Sequence, residues 1–369
     1  MEGRSGDGAR PLRRALSRGQ WATVALAVGL TLAAAVVEVI AARDVAAFVV
    51  SAAALAALAA LVGESIEQVG ERLGPGATGL LQSCLGNLPE LFVGVFALRA
   101  GLVGVVRAAL VGSVLASTLL VLGVCFLAGG LRHGTQHFDS ESPRMIGTLL
   151  LLAVAALLVP TLAARLATPA AAHEAALSDA SAVLLVIVYL TSIPFWLRGG
   201  AVTGPDDQYC RQGGIEVWPI GLSVGLLAVA GVGAAFVSDW FVNALEPATR
   251  SLGLTDTFTG LVIVAIASNA VENAGGIRFA LRSRPDYAIS TVLNSPLQVA
   301  LLLTPALVLA DRLVGTGGLT LVFPPLQVAA LAVSTVVMTT VVYDGEYTWL
   351  EGVALIGLYA IIAAAFWWG

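Results

Sequence analysis

Apolar residues in this chain fall in long unbroken runs, not at the two-residue alternation of strands or in the one-sided stripe of a surface helix. The runs cover about 21–41, 45–63, 76–98, 102–130, 145–167 and 179–198, then 216–240, 258–281, 286–311, 320–342 and 347–368. Each is long enough to cross a hydrocarbon core about 30 Å thick as a helix. Short polar segments bearing Gly and Pro separate them, the longest being 199–215 (GGAVTGPDDQYCRQGGI). The pattern predicts an all-α polytopic membrane protein with about eleven transmembrane helices. An N-terminal segment 1–20 and a leading helix 21–41 precede two blocks, 45–198 and 216–368, with the 199–215 loop between them.

Composition narrows the class. Only 12% of residues are charged, against about 25% in soluble domains, while 58% are hydrophobic and the mean hydropathy is +0.90. That excludes a soluble globule, a disordered chain and a nucleic-acid binder. Every basic residue is Arg. With the N-terminus inside, the inner segments hold Arg4, Arg10, Arg13, Arg14, Arg18, Arg72, Arg132, Arg144, Arg198, Arg211, Arg282 and Arg284. The outer ones hold Arg43, Arg99, Arg165, Arg250 and Arg312. This excess predicts a multi-pass cell-membrane protein with a cytoplasmic N-terminus and an outside C-terminus. A cleaved signal is the rival reading of Arg13-Arg14, and nothing downstream resembles the soluble cargo it would serve. Cys84, Cys125 and Cys210 lack metal or disulfide spacing and read as small apolar residues.

The two blocks share a motif. Residues 86–99 read GNLPELFVGVFALR and residues 268–282 read SNAVENAGGIRFALR. Asn87 and Asn269 are 182 positions apart, as are Glu90 and Glu272; the FALR tails slip by one residue, and Gly112-Ser113 against Asn294-Ser295 restores the offset. Five spans, an odd number, separate the copies, so one leading helix plus two inverted five-helix repeats is expected.

Glu90 and Glu272 lie deep in apolar helices, where an ionised carboxylate costs roughly 3 kcal/mol or more. Asn87 and Asn269 precede them by three residues and share their helix face. Pro89 lacks a backbone donor and is expected to strain the turn before Glu90, freeing carbonyl oxygens. Carboxylate, amide oxygen and loose carbonyls on two antiparallel helices form an all-oxygen cage suited to a hard cation such as Ca²⁺. A structural Glu–Asn hydrogen bond of about 1 kcal/mol is the plain alternative; the duplication favours a transport site. On flanking helices, Asn294 and Gln298 are four apart and read as further ligands or as partners of the carboxylates. Ser113, Ser117 and Ser295 read equally as packing or as site residues, and Gly112 as close packing. Of the acids near span ends, Glu67 and Asp239 are candidates for an ion access path or proton relay. His133 and His137, four apart, read as solvated loop residues rather than a metal site.

At these residues the chain resembles the calcium/cation antiporter superfamily, closest to its calcium/proton exchanger branch. Each half there carries Gly-Asn-x-x-Glu, an apolar run, a basic residue and a Gly-Ser helix. The resemblance extends to GESIEQVGERLG at 63–74, FVSDWFVNALE at 236–246, LTLVFPPLQVAAL at 319–331 and DGEYTWLEG at 344–352. It implies an eleven-helix exchanger in which Glu90 and Glu272 bind the cation and the protons that replace it. The second motif departs by opening on Ser268 and placing Asn273 after the glutamate, where histidine is common. Ser117 stands for an asparagine, Asn294 for a glycine, and Pro296 follows Ser295.

Two carboxylates balance one Ca²⁺ or two protons, so the two cargoes compete and exchange follows if only the neutralised site changes sides. The expected activity is secondary antiport of Ca²⁺, or a similar divalent cation, for protons. The alternative is a sodium-coupled exchanger of the same fold, Na⁺/Ca²⁺ or Na⁺/H⁺. No resident cofactor is expected, and the partners are the lipid bilayer and the transported cations. Zinc-protease and nucleophile-elbow motifs are missing, so an enzyme is not expected.

Overall fold

The computed structural model describes residues 17–40, 45–73, 85–199, 218–314 and 318–368. The Arg-rich start, most of the 199–215 loop, and residues 74–84, which include the start of the third apolar run, lie outside the described residues. In chain order the elements are α1 (Arg18–Val39), α2 (Val45–Leu73), α3 (Leu88–Arg99), α4 (Val103–His133), β1 (Gln136–His137), α5 (Glu141–Arg165) and α6 (Glu174–Gly199). Then come α7 (Ile220–Leu252), α8 (Asp256–Ser268), α9 (Ala270–Leu281), α10 (Pro285–Leu313), α11 (Pro325–Val341), β2 (Glu346–Tyr347) and α12 (Trp349–Trp367).

Eight of these helices, α1, α2, α4, α5, α6, α7, α10 and α12, are long and apolar enough to cross a membrane. The eighth and tenth runs are carried by shorter helices, the pair α8 and α9 and the 17-residue α11, while α3 holds most of the described part of the third. Leu26, Leu32 and Val36 on α1, and Val229, Val232 and Phe236 on α7, project outward and exposed. Such all-round apolarity suits lipid as the surrounding solvent. Helices α2 and α7 run ten and twelve residues past the apolar runs that announced them, to Leu73 and Leu252. Acids at Glu64, Glu67, Asp239 and Glu246 interrupt hydropathy without interrupting a helix, so they sit within helices.

Helices α4 and α10 form the centre, with 83% and 72% of their most apolar windows buried. Around them α2 and α7 pack antiparallel. Phe48 stacks on Phe241 with ring centroids 4.9 Å apart, Leu58 faces Gly233, and Gln68 Oε1 accepts from the backbone N–H of Trp218 at 2.9 Å. Glycines set the closest crossings. A Cβ on Gly112 of α4 would lie 2.0 Å from the carbonyl oxygen of Leu261 in α8, and one on Gly352 of α12 would lie 2.4 Å from the backbone nitrogen of Leu127.

Ahead of α11 the chain runs extended through protein instead of as helix. Leu319, Leu321 and Phe323 are buried, and their N–H groups donate to side chains from three helices: Asp311 Oδ2 at 2.8 Å, Ser178 Oγ at 3.1 Å and Thr161 Oγ1 at 3.1 Å. Arg107 of α4 donates to Gly318 O and to Thr320 Oγ1, each at 3.1 Å. Irregular backbone at membrane depth survives only with such internal partners. Thr161→Val should therefore strand the Phe323 N–H and cost about 1–3 kcal/mol, read as a lower unfolding temperature of the purified protein in detergent.

At the opposite ends of these helices, β1 and β2 pair antiparallel, Gln136 with Tyr347 and His137 with Glu346. His137 Nδ1 lies 3.4 Å from Glu346 Oε2, and His133 Nε2 lies 3.0 Å from Leu281 O, at the end of α9. Ser283 donates to Gln136 Oε1 at 2.9 Å, and Arg144 donates to Tyr343 O and covers the Tyr343 ring. The loops after α4, α9 and α11 are thereby tied into one cap.

Candidate cation site

Both motif asparagines interrupt a helix. Asn87 precedes α3 with φ −91° and ψ 13°, and Asn269 separates α8 from α9 with φ −97° and ψ 7°. Each breakpoint is followed by a 12-residue helix carrying the motif glutamate three residues on. Pro89 occupies the first turn of α3, where a missing N–H is tolerated; α9 breaks in the same way with Val271 at the matching position. The asparagine backbone, rather than the proline strain expected, is the feature common to both breaks.

The breakpoints meet in one hydrogen-bonded group. Glu90 Oε1 accepts from Ser268 Oγ at 3.2 Å and from Ser113 Oγ at 3.4 Å. Asn269 is buried; its Nδ2 donates to Ser113 Oγ at 2.8 Å and to Ala265 O at 2.9 Å, and its Oδ1 accepts from Ser295 Oγ at 3.2 Å. Asn87 Nδ2 donates to Gln298 Oε1 at 2.9 Å. Residues far apart in sequence thus converge, and oxygens dominate the donor set, as hard cations require.

Local helix geometry widens beside this group. Residues Ala116–Val121 of α4, Thr259–Val264 of α8 and Val299–Leu303 of α10 form π-helical turns, which often mark functional sites because the looser ladder re-aims side chains and carbonyls. Pro296, lacking an N–H, lies three residues before the third of them.

Glu90 is half-buried rather than sealed. It stands with Ser113 and Ser268 on the wall of a crevice that follows Val93 and Ala97 along α3 and Val106 along α4. Most of that wall is apolar, and it includes Ala97 and Val105, which flank the turn at 100–102.

Residues 44–197 and 222–368 match the family described as sodium/calcium exchanger protein. The chain belongs to that family. It is 34% identical over 340 residues to a Ca²⁺/H⁺ antiporter of Aphanothece halophytica, covering 88% of this chain and 90% of the relative. It is 30% identical to the Ca²⁺/H⁺ antiporter ChaA of Bacillus subtilis, covering 86% and 91%. Among solved structures it is similar to the Ca²⁺/H⁺ antiporter protein YfkE, with a TM-score of 0.79, 26% identity, and coverage of 94% of this chain and 99% of that one.

Within this exchanger fold, Asn87, Glu90, Ser113, Asn269, Ser295 and Gln298 come together. Among the described residues, Gln298 meets Asn87. Glu272 lies in α9, but its side chain is outside the described residues. Ser117 Oγ is buried within the first π turn without a hydrogen bond among the described residues, and Asn294 makes none either. Asp239 accepts from Asn243 at 3.4 Å and Glu67 is exposed on α2; neither lines the crevice. Ser268 was missed as a site residue. Its signal was the departure from glycine at Gly86, the matching place in the first motif.

Proposed function

We propose that the chain is a secondary antiporter that exchanges Ca²⁺, or a similar divalent cation, for protons by alternating access. Glu90 and Glu272 bind the two cargoes in competition. The observation that carries this reading is a carboxylate at a helix break, ringed by side-chain oxygens from both halves of the chain and reached by a crevice from one side. Relatives named as Ca²⁺/H⁺ antiporters support the choice of ions. In this reading the fold is a leading helix and two inverted five-helix repeats making eleven crossings. The matching asparagine conformations, the π turns at 116–121 and 299–303 and the antiparallel α2 and α7 support that arrangement. The N-terminus is cytoplasmic and the C-terminus outside, so the crevice faces outward while the β1–β2 cap closes the cytoplasmic side.

Each residue then has a task. Glu90 and Glu272 supply the charge that two protons or one divalent cation neutralises. Asn269 holds Ser113 and Ser295 against the site, and Asn87 with Gln298 pins the α3 breakpoint to α10. Ca²⁺ uptake into sealed proteoliposomes under an imposed proton gradient tests the reading. Uptake driven by a sodium gradient and not by protons would replace it with the sodium-coupled alternative. Ser268→Gly, which restores the residue of the first motif, removes one of two donors that orient Glu90. It should raise the half-saturating Ca²⁺ concentration about fivefold, as about 1 kcal/mol implies, whereas Ser268→Thr keeps the hydroxyl and the affinity.

A further inference from the structure

The crevice beside Glu90 is built for more than a bare ion. Glu90, Val93 and Ala97 lie along one face of α3, and Val106, Ala109 and Ser113 along one face of α4, so its walls run for two helical turns, about 10 Å. Three oxygens cluster at the inner end, the Glu90 carboxylate with Ser113 Oγ and Ser268 Oγ within 3.4 Å and 3.2 Å of it. Beyond them the walls are aliphatic, with Val242, Leu245, Leu303 and Leu307 among the lining side chains. A hydrated divalent cation gains nothing from that wall. A neutral acyl chain would strip water from Glu90 without replacing it, and an anionic head group would be repelled. A primary ammonium brings three donors for the three oxygens, and an alkyl chain attached to it lies along the aliphatic walls.

We propose that this crevice is a binding site for amphiphilic monocations, alkylammonium ions whose head pairs with Glu90 and whose chain of about six carbons lies between α3 and α4. The proposal rests on the reading of Glu90 as part of the cation site, and it makes such ions competitors of Ca²⁺ from the outer face.

The test is direct binding of butyl-, hexyl- and octylammonium to the purified protein by calorimetry, with hexanol and hexyl sulfate as controls. Affinity should rise about three- to fourfold per methylene, as burial of that group implies, and level off once the chain outgrows the crevice. Glu90→Gln should weaken hexylammonium at least tenfold, and Ala109→Phe, which fills the wall and leaves the oxygens, should weaken hexylammonium but not methylammonium. Affinity independent of chain length, equal binding of hexanol, or insensitivity to both variants would overturn the proposal. Glu90-dependent hexylammonium binding that fails to displace Ca²⁺ would uphold the crevice site while removing Glu90 from Ca²⁺ transport. Glu90-dependent Ca²⁺ binding without hexylammonium binding would do the reverse.

Discussion

Glu90→Gln is expected to abolish proton-driven Ca²⁺ uptake, at least about a hundredfold, while leaving the protein folded. The amide keeps the size of the side chain and an oxygen that Ser113 and Ser268 can still donate to, so the local packing has no reason to change. What disappears is the charge. A divalent cation would then sit in the site with one charge uncompensated, a penalty of roughly 3 kcal/mol at membrane depth, and each 1.4 kcal/mol is a factor of ten. The amide also cannot take up a proton, so the return half of the cycle fails with the forward half. Uptake into proteoliposomes alongside a thermal unfolding curve separates the two effects. An unfolding temperature near that of the parent with uptake near background is the expected pair, and substantial uptake would remove Glu90 from the transport step.

Gly112→Ala should be the most damaging single methyl in the bundle. The added Cβ would meet the Leu261 carbonyl oxygen at 2.0 Å and its carbon at 2.5 Å, and both are backbone atoms with no rotamer to yield. Helices α4 and α8 must separate, and that crossing also carries Gly260, whose own Cβ would lie 2.6 Å from Val105 O. Overpacking of a tight core costs about 1–3 kcal/mol, and a clash against backbone belongs at the upper end. Because Ser113 follows Gly112 and Ser268 lies two turns beyond Leu261, the displacement reaches both donors to Glu90. A lowered unfolding temperature with loss of uptake is expected, while Gly104→Ala, with open space at its Cβ, should be silent in both assays.

Much of the candidate site was legible before the fold was known. Asn87, Glu90, Asn269 and Ser113 stood out because a constant offset tied them together and because carboxylates in apolar runs are costly. Ser268 escaped because a serine beside a motif reads as readily as packing. Its role depends on α8 bringing it to a carboxylate 178 positions away, and no local pattern encodes that approach. The extended segment before α11 escaped for another reason. Leu321 and Phe323 fall in the apolar run at 320–342 and Leu319 just before it, and hydropathy does not see that their N–H groups bond to Asp311, Ser178 and Thr161. An acid misled in the opposite sense, since Asp239 reads as lying near a span end although α7 continues past it to Leu252.

In the alternating-access cycle proposed above, the unequal dressing of the two motifs would set a preference in time. Two perfect inverted copies would exchange conformations on each half-cycle, and the inward- and outward-facing forms would be degenerate. Ser268 and Gln298 answer to Gly86 and Ala116, which offer no side-chain hydrogen bond, so the bonds to Glu90 and Asn87 have no mirror-image replacements. At about 1 kcal/mol each, two such bonds skew the occupancy of the two forms by a factor on the order of thirty. The chain would then dwell on one side of its cycle and visit the other briefly, an asymmetry written into two side chains rather than imposed by the gradient.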